Sequence, residues 1–360
     1  MTITATEIFM FFGFLVAGYS IVANDAIQTL GTFLSSNSHR PWWLLWLYAC
    51  SILVAVLVYG WIVNFGDVAY GRLEKFPEPP GGISWLHAIP PIFILLLTRF
   101  GVPVSTTFLV LTVFAPSNLE QMLVKSMLGY GVAIVVGILV YSFVSRIVEK
   151  RFIDTRKTPP KVHWVALQWL STAFLWSQWL IQDLANIFVY LPRQLGVELL
   201  LFAIIVMLLL HAYIFYRRGG RIQGIVTSKT NTTDIRSATI IDFMFGCILW
   251  YFKQISNIPM STTWVFLGLL AGRELALTLQ LRMRPMRETT MLILQDAGKA
   301  MAGLLVSLGL AFGLPAISNS MSDEDSAAAV TTPDADSDDR VPGSGPDSGD
   351  AADAQMRRSD

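Results

Sequence analysis

Charge is scarce in this chain. Only 14% of its 360 residues are Asp, Glu, Lys or Arg, against 53% that are hydrophobic, and the mean hydropathy is +0.53. A soluble domain carries about 25% charged residues, so the composition excludes an ordinary water-soluble enzyme and specifies a multi-span membrane protein. Cysteine is nearly absent. Cys50 and Cys247 both sit in apolar runs, which excludes a disulfide framework or a thiolate metal site and leaves two small packing residues. Four histidines, His39, His87, His163 and His211, are scattered near span ends, with no His-Glu-x-x-His and no Gly-x-Ser-x-Gly. The sequence therefore points away from hydrolytic chemistry, and the expectation is a protein that is not an enzyme and uses no organic cofactor. Basic residues before the first apolar run are missing too, so residues 8–22 read as a retained first helix rather than a cleaved signal.

What is present is arranged twice. Pro103-Val104-Ser105-Thr106-Thr107 returns as Pro259-Met260-Ser261-Thr262-Thr263. Each phrase follows an amide–carboxylate pair, Asn24-Asp25 before the first and Gln182-Asp183 before the second. Asp25 precedes Ser105 by 80 residues and Asp183 precedes Ser261 by 78, which indicates an internal duplication of period about 157.

The apolar runs follow the same plan. In the first half, spans at 7–34 and 42–66 precede two shorter arms, 84–100 and 104–116, and a span at 121–145. In the second half, spans at 163–190 and 195–216 precede arms at 237–256 and 259–272 and a span at 289–314. The arms are predicted to be re-entrant hairpins, because the first pair falls short of the roughly 20 residues a crossing needs. Breaks are expected at Asn24-Asp25 and at Gln182-Asp183, and glycines at 129, 131, 137, 298, 303, 309 and 313 are expected to let the last span of each half pack closely.

The predicted fold class is an all-α polytopic membrane protein built from two inverted-topology repeats, each with about three spanning helices and one re-entrant helical hairpin. An odd number of crossings per repeat makes the second repeat upside down. The domain plan is repeat 1 at 1–145, a basic cytoplasmic linker at 146–162, repeat 2 at 163–318, and an acidic tail at 319–360. That tail holds 11 acidic and 3 basic residues and almost no large apolar ones, so it is expected to be disordered, and the body before it carries +8. Loops at 35–41, 146–162, 217–236 and 273–288 hold 16 lysines and arginines, while Arg72, Lys75, Lys125 and Arg193 fall on the other side. The positive-inside rule makes the first side cytoplasmic and places both termini outside a cell (inner) membrane.

Asp25 and Asp183 are intramembrane carboxylates at matched repeat positions, which marks a pathway rather than packing. A proline followed by three hydroxyls favours a helix start, whose free N–H groups and positive dipole end cradle an anion. Two such cradles meeting at mid-membrane would enclose a small tetrahedral oxyanion. The oxygens of Asp25, Asp183, Asn24, Gln182 and Asn186 suit a hard cation such as sodium. Anion uptake against a negative interior costs about 2.3 kcal/mol per charge per 100 mV, and accompanying cations offset it.

These residues carry a resemblance. Asn24-Asp25-x-x-Gln28, Gln182-Asp183-x-x-Asn186 and the two Pro-x-Ser-Thr-Thr phrases resemble the signature of the inorganic phosphate transporter family, sodium- or proton-coupled phosphate and sulfate permeases, over residues 7–314. The chain departs from that signature at Val22 and Leu180 in place of glycine, at Gln28 and Gln182 in place of asparagine, and at Phe108 and Trp264 in place of histidine. The resemblance implies import of phosphate or a related oxyanion by alternating access. Ser105, Thr106, Thr107, Ser261, Thr262, Thr263, Gln28 and Asn186 would bind substrate; Asn24, Asp25, Gln182 and Asp183 would bind the cation, with sodium at Asp25 and Asp183. Sulfate permeation, an anion channel and a non-transporting accessory protein are the competing readings. The expected partners are phosphate or sulfate, sodium or proton, and lipid, with no nucleic acid. The oligomeric state is left open, a homodimer among its options.

Overall fold

The computed structural model describes residues 4–100, 104–144, 155, 162–220, 223–224, 234–281 and 285–330. The described residues are helical with no strand: α1 (Ala5–Ile21), a π-helical turn (Val22–Ala26), α2 (Ile27–Ser36), α3 (Trp42–Val63), α4 (Trp85–Arg99), α5 (Thr106–Phe114), α6 (Leu119–Val144), α7 (Val162–Phe188), α8 (Val197–Tyr216), α9 (Ile235–Ile255), α10 (Thr262–Leu281) and α11 (Met286–Val330). Among these residues seven helices are long and apolar enough to cross a membrane, α1, its π turn and α2 counting as one. Residues 1–317 form one compact unit, and 318–360 cluster separately. The 146–162 linker lies almost wholly outside the described residues, as do 331–360 of the tail; α11 itself continues as helix past 318, where disorder was expected to begin.

Helix starts follow local chemistry. Thr4 caps α1 in a reciprocal box with Glu7, Glu7 N donating to Thr4 Oγ1 at 3.2 Å and Thr4 N to Glu7 Oε2 at 2.8 Å. Ser105 caps α5, accepting from Phe108 N at 3.3 Å. α4 contains Pro90 and Pro91 and runs only 15 residues, and α5 runs 9, so the first hairpin has the short arms expected of it.

The second hairpin corrects the sequence reading. Its arms, α9 and α10, have 21 and 20 residues, each enough to span the hydrocarbon. α10 continues through Arg273, which had been assigned to a cytoplasmic loop. The helix tolerates this charge because Arg273 pairs with Glu274 at 2.9 Å and lies 5.4 Å from the centre of the Tyr141 ring. The two acidic breaks also differ. Val22–Ala26 is a π turn, but α7 passes through Gln182-Asp183 as uninterrupted α-helix. Trp46 donates its indole N–H to Leu208 O at 3.1 Å and ties α3 to α8.

The two sequence halves are interleaved. α3 and α8 run antiparallel: Leu195 N donates to Gly66 O at 3.0 Å at one end, and Arg218 Nη2 to Arg40 O at 3.0 Å at the other. The most extensive helix contact joins α6 of the first half to α10 of the second. Glycines make it possible. A Cβ on Gly272 would sit 2.3 Å from Ile134 O, one on Gly268 2.5 Å from Tyr130 O, and one on Gly137 2.8 Å from Leu269 O. Gly268 and Gly272, four apart on one face, were not singled out from sequence. Of the glycines that were, 129, 137 and 303 meet neighbours, while 131, 298, 309 and 313 meet nothing within 4 Å. Gly272→Leu is expected to destabilise the purified protein by about 1–3 kcal/mol through overpacking, read as a lowered Tm in detergent, whereas Gly131→Leu leaves Tm unchanged.

Candidate functional site

The repeated motifs converge at the centre of the 1–317 unit. Asp25 and Asp183 are 2% and 0% exposed, and Asn24, Gln28, Thr106, Thr107, Gln182, Asn186, Ser261, Thr262 and Thr263 are all buried beside them or on the same turns. Each hairpin supplies hydroxyls to both acids. Thr106 Oγ1 donates to Asp25 Oδ2 within its own half, and Thr262 Oγ1 to Asp183 Oδ2 at 2.6 Å within the other. The next threonines cross over: Thr107 Oγ1 lies 3.4 Å from Asp183 Oδ1, and Thr263 Oγ1 3.2 Å from Asp25 Oδ1. The same two hydroxyls also reach the facing tip, Thr107 to Met260 O at 3.2 Å and Thr263 to Val104 O at 3.1 Å. Exchanging the halves maps every one of these bonds onto its counterpart.

The amides extend the network less evenly. Asn24 Nδ2 donates to Asp25 Oδ1 at 2.8 Å and to Val104 O at 2.9 Å. Asn186 Nδ2 reaches Asp183 Oδ1 at 2.9 Å and the hydroxyls of Thr107 and Thr106 at 3.1 and 3.2 Å. Gln28 Nε2 lies 3.3 Å from Asn24 Oδ1 and Asp25 Oδ1. Gln182 turns away, donating to Leu249 O at 2.9 Å. Ser105 and Ser261 face their own helices, accepting from Phe108 N and Trp264 N at 3.3 and 3.2 Å. They act here as caps, not as hydroxyls aimed at the carboxylates. Phe108 and Trp264 meet edge to face, ring centres 5.5 Å apart, where the two tips face each other.

Two buried carboxylates need compensation. Among the described residues no basic side chain pairs with either one. The side-chain oxygens of Gln28, Gln182 and Asn186 are buried and accept no hydrogen bond. Buried acceptors are ordinarily satisfied, and a cluster of carboxylates with idle carboxamide oxygens is the donor set of a hard cation. No group of three or more His, Cys, Asp or Glu converges among the described residues, so a transition-metal site is not built here. The gap beside Asp25, Gln28, Thr262 and Thr263, closed by Phe245 and Phe266, has no room for a water-sized sphere. An oxyanion entering it has to part the threonines from the carboxylates.

Three groups escaped the sequence reading. Arg72, 1% exposed, donates Nε to Ile181 O at 3.1 Å, beside Gln182, and Nη1 to Asn257 O at 3.1 Å at the second hairpin's tip. Burial pulls its pKa down to about 10, and the charge of Asp183 opposes that shift. Lys125 Nζ holds the same tip, 2.8 Å from Ser256 O and from Ile258 O. Both residues had been counted only as loop or span-end charges. Asp242, 0% exposed, accepts from Thr32 Oγ1 and, at 2.5 Å, from Thr172 Oγ1. Its position in an apolar arm was a signal of the same kind as Asp25, but it has no repeat partner.

Two helix tips and two acidic helices thus meet inside an all-helical unit that has seven helices long and apolar enough to cross a membrane among the described residues. No family model matches the chain, and no curated protein matches it. Among solved structures, one described as the sodium-dependent phosphate transporter aligns with a TM-score of 0.60 at 15% identity, over 88% of this chain and 98% of that one. The chain shares the fold of that protein.

Lys125→Met removes the cation that gathers Ser256 O and Ile258 O. Charge-assisted bonds contribute about 1.5–3 kcal/mol each, so Tm is expected to fall and cleavage at residues 256–258 in limited proteolysis to rise.

Proposed function

We propose that this protein is a secondary active transporter that imports inorganic phosphate, or a related tetrahedral oxyanion, coupled to sodium. The observation that carries the reading is the crossed threonine–carboxylate network, in which each hairpin tip is bonded to the acid of the other half. Such a centre cannot open on one side without altering the contacts of both tips, which is the physical requirement for alternating access. The first-turn N–H groups of α5 and α10 have no acceptor within their helices, and two helix starts facing each other offer an oxyanion donors without a fixed positive charge.

Sodium is favoured over a proton by the idle carboxamide oxygens of Gln28 and Asn186, whose amide nitrogens are bonded to the acids. A proton binds a carboxylate and leaves such oxygens unused, while sodium takes several oxygens at once. Thr106, Thr107, Thr262 and Thr263 pass their hydroxyls from carboxylate to substrate when sodium neutralises Asp25 and Asp183. Ser105 and Ser261 hold the first turns in shape. The fold likeness to a sodium-dependent phosphate transporter supports the same reading. We place the Arg40, Arg217 and Arg218 end in the cytoplasm, with the protein in the inner membrane and both termini external, on the excess of lysine and arginine there. The second repeat is then inverted. That assignment is supported by the hairpin tips: Arg99 shares a cavity with Arg217 at one end of α3, and Asn257 is held by Arg72 at the other.

The test is uptake of labelled phosphate by the full chain in proteoliposomes, with an inward sodium gradient and without one. Sodium-driven accumulation is expected, with sulfate as the comparison substrate. Asp25→Asn and Asp183→Asn are each expected to lower it to background while the protein elutes as a folded monodisperse species. Uptake by both variants at the wild-type rate would remove the acids from the mechanism. Downhill flux that ignores sodium would make the protein a channel.

A further inference from the structure

A cavity of about 630 Å³ lies between α1, α4 and α8, away from the threonine–carboxylate centre. Its walls include Tyr19, Ala23, Thr98, Arg99, Tyr213 and Arg217. Ala23 belongs to the π turn and directly precedes Asn24, so one wall is the reverse side of the central network. Thr98 Oγ1 is buried with no hydrogen-bond partner among the described residues. Tyr19 and Tyr213 face each other with ring centres 6.0 Å apart.

Arginines at helix C-termini often serve their own helix dipole, and for Arg217 that reading is weakened. The last carbonyls of α8 are already taken by backbone donors: Tyr213 O by Arg217 N at 3.0 Å, Ile214 O by Gly219 N at 3.0 Å, and Phe215 O by Arg218 N at 2.9 Å. Gly219 and Gly220, at φ +80° and +60°, form the turn that supplies this cap. The guanidinium of Arg217 is therefore not required by those carbonyls. Two guanidinium-bearing residues, an idle hydroxyl and two phenols lining one cavity match the donor chemistry of a phosphate-type dianion.

We infer that this cavity is a second anion site, which binds a phosphate group through Arg99, Arg217 and Thr98. The group comes either from free inorganic phosphate on its way from the centre or from the headgroup of an anionic lipid. Ile92 and Leu96 on the α4 wall are 46% and 49% exposed, which gives a headgroup lateral access. The direction of flow rests on the proposed transport function; the binding itself does not.

The experiment is binding of labelled inorganic phosphate to the purified full chain in detergent, followed by native mass spectrometry after addition of phosphatidylglycerol. The wild-type protein is expected to bind phosphate in two classes. Arg99→Gln with Arg217→Gln is expected to weaken one class about ten-fold or more and leave the other intact, and the Arg99→Lys, Arg217→Lys chain to retain both. Thr98→Val weakens the same class and tests the cavity without touching charge. A phosphatidylglycerol adduct that is lost with the two arginines and displaces that class identifies the lipid headgroup as the natural occupant; no adduct identifies free phosphate. Phosphate and phosphatidylglycerol binding that are both unchanged in the glutamine and valine variants would overturn the inference. Loss of arginine-independent binding alone would instead count against the central site, so the two readings fail separately.

Discussion

Two carboxylates placed inside a lipid-spanning unit constrain everything around them. Neither Asp25 nor Asp183 has an ion-pair partner among the described residues, so their solvation comes from hydroxyl and amide groups. Those groups sit on helix tips that arrive from opposite ends of the bundle, and each acid draws on both tips. A charged group at this depth costs at least about 2.5–3.5 kcal/mol on insertion scales. The tips are consequently tethered to the acids as long as the acids stay charged and uncompensated. On the function proposed above, a cation bound there would relax that tether, which would make cation and tip geometry parts of one equilibrium.

The second tip carries an additional restraint. Arg72 and Lys125 gather Asn257, Ser256 and Ile258 carbonyls, while Arg72 also reaches Ile181 O on the acidic helix. A long arm on either side, α9 and α10, further embeds this hairpin. The first hairpin has short arms, and its α4 arm ends against a cavity. The centre is nearly symmetric in its bonds but asymmetric in its supports, since only the second tip is held by basic side chains among the described residues.

Much of the centre was legible in the sequence because duplication supplies its own control. Asp25 and Asp183 stood out as matched intramembrane acids, and the repeated Ser-Thr-Thr phrases pointed to the tips that do meet them. What stayed hidden had no repeat partner or depended on long-range geometry. Asp242 lacks a counterpart, and its threonine partners, Thr32 and Thr172, lie 210 and 70 residues away. Arg72 reads as a loop charge until folding brings Ile181 and Asn257 around it. The length of α10 was misjudged because Arg273 looks like a loop residue when its Glu274 and Tyr141 partners are ignored. Ser105 and Ser261, which the family resemblance implied as substrate contacts, also cap their helices by accepting from Phe108 N and Trp264 N, a role that follows from capping geometry and was not anticipated.

The π turn at Val22–Ala26 has no equivalent in α7. One surplus residue in a helix rotates everything beyond it by about 100°, yet Gln28 beyond the π turn and Asn186 on the unbroken α7 both reach their own half's acid. The halves mirror one another in the bonds between their threonines and acids, yet the helices that carry those acids are wound differently.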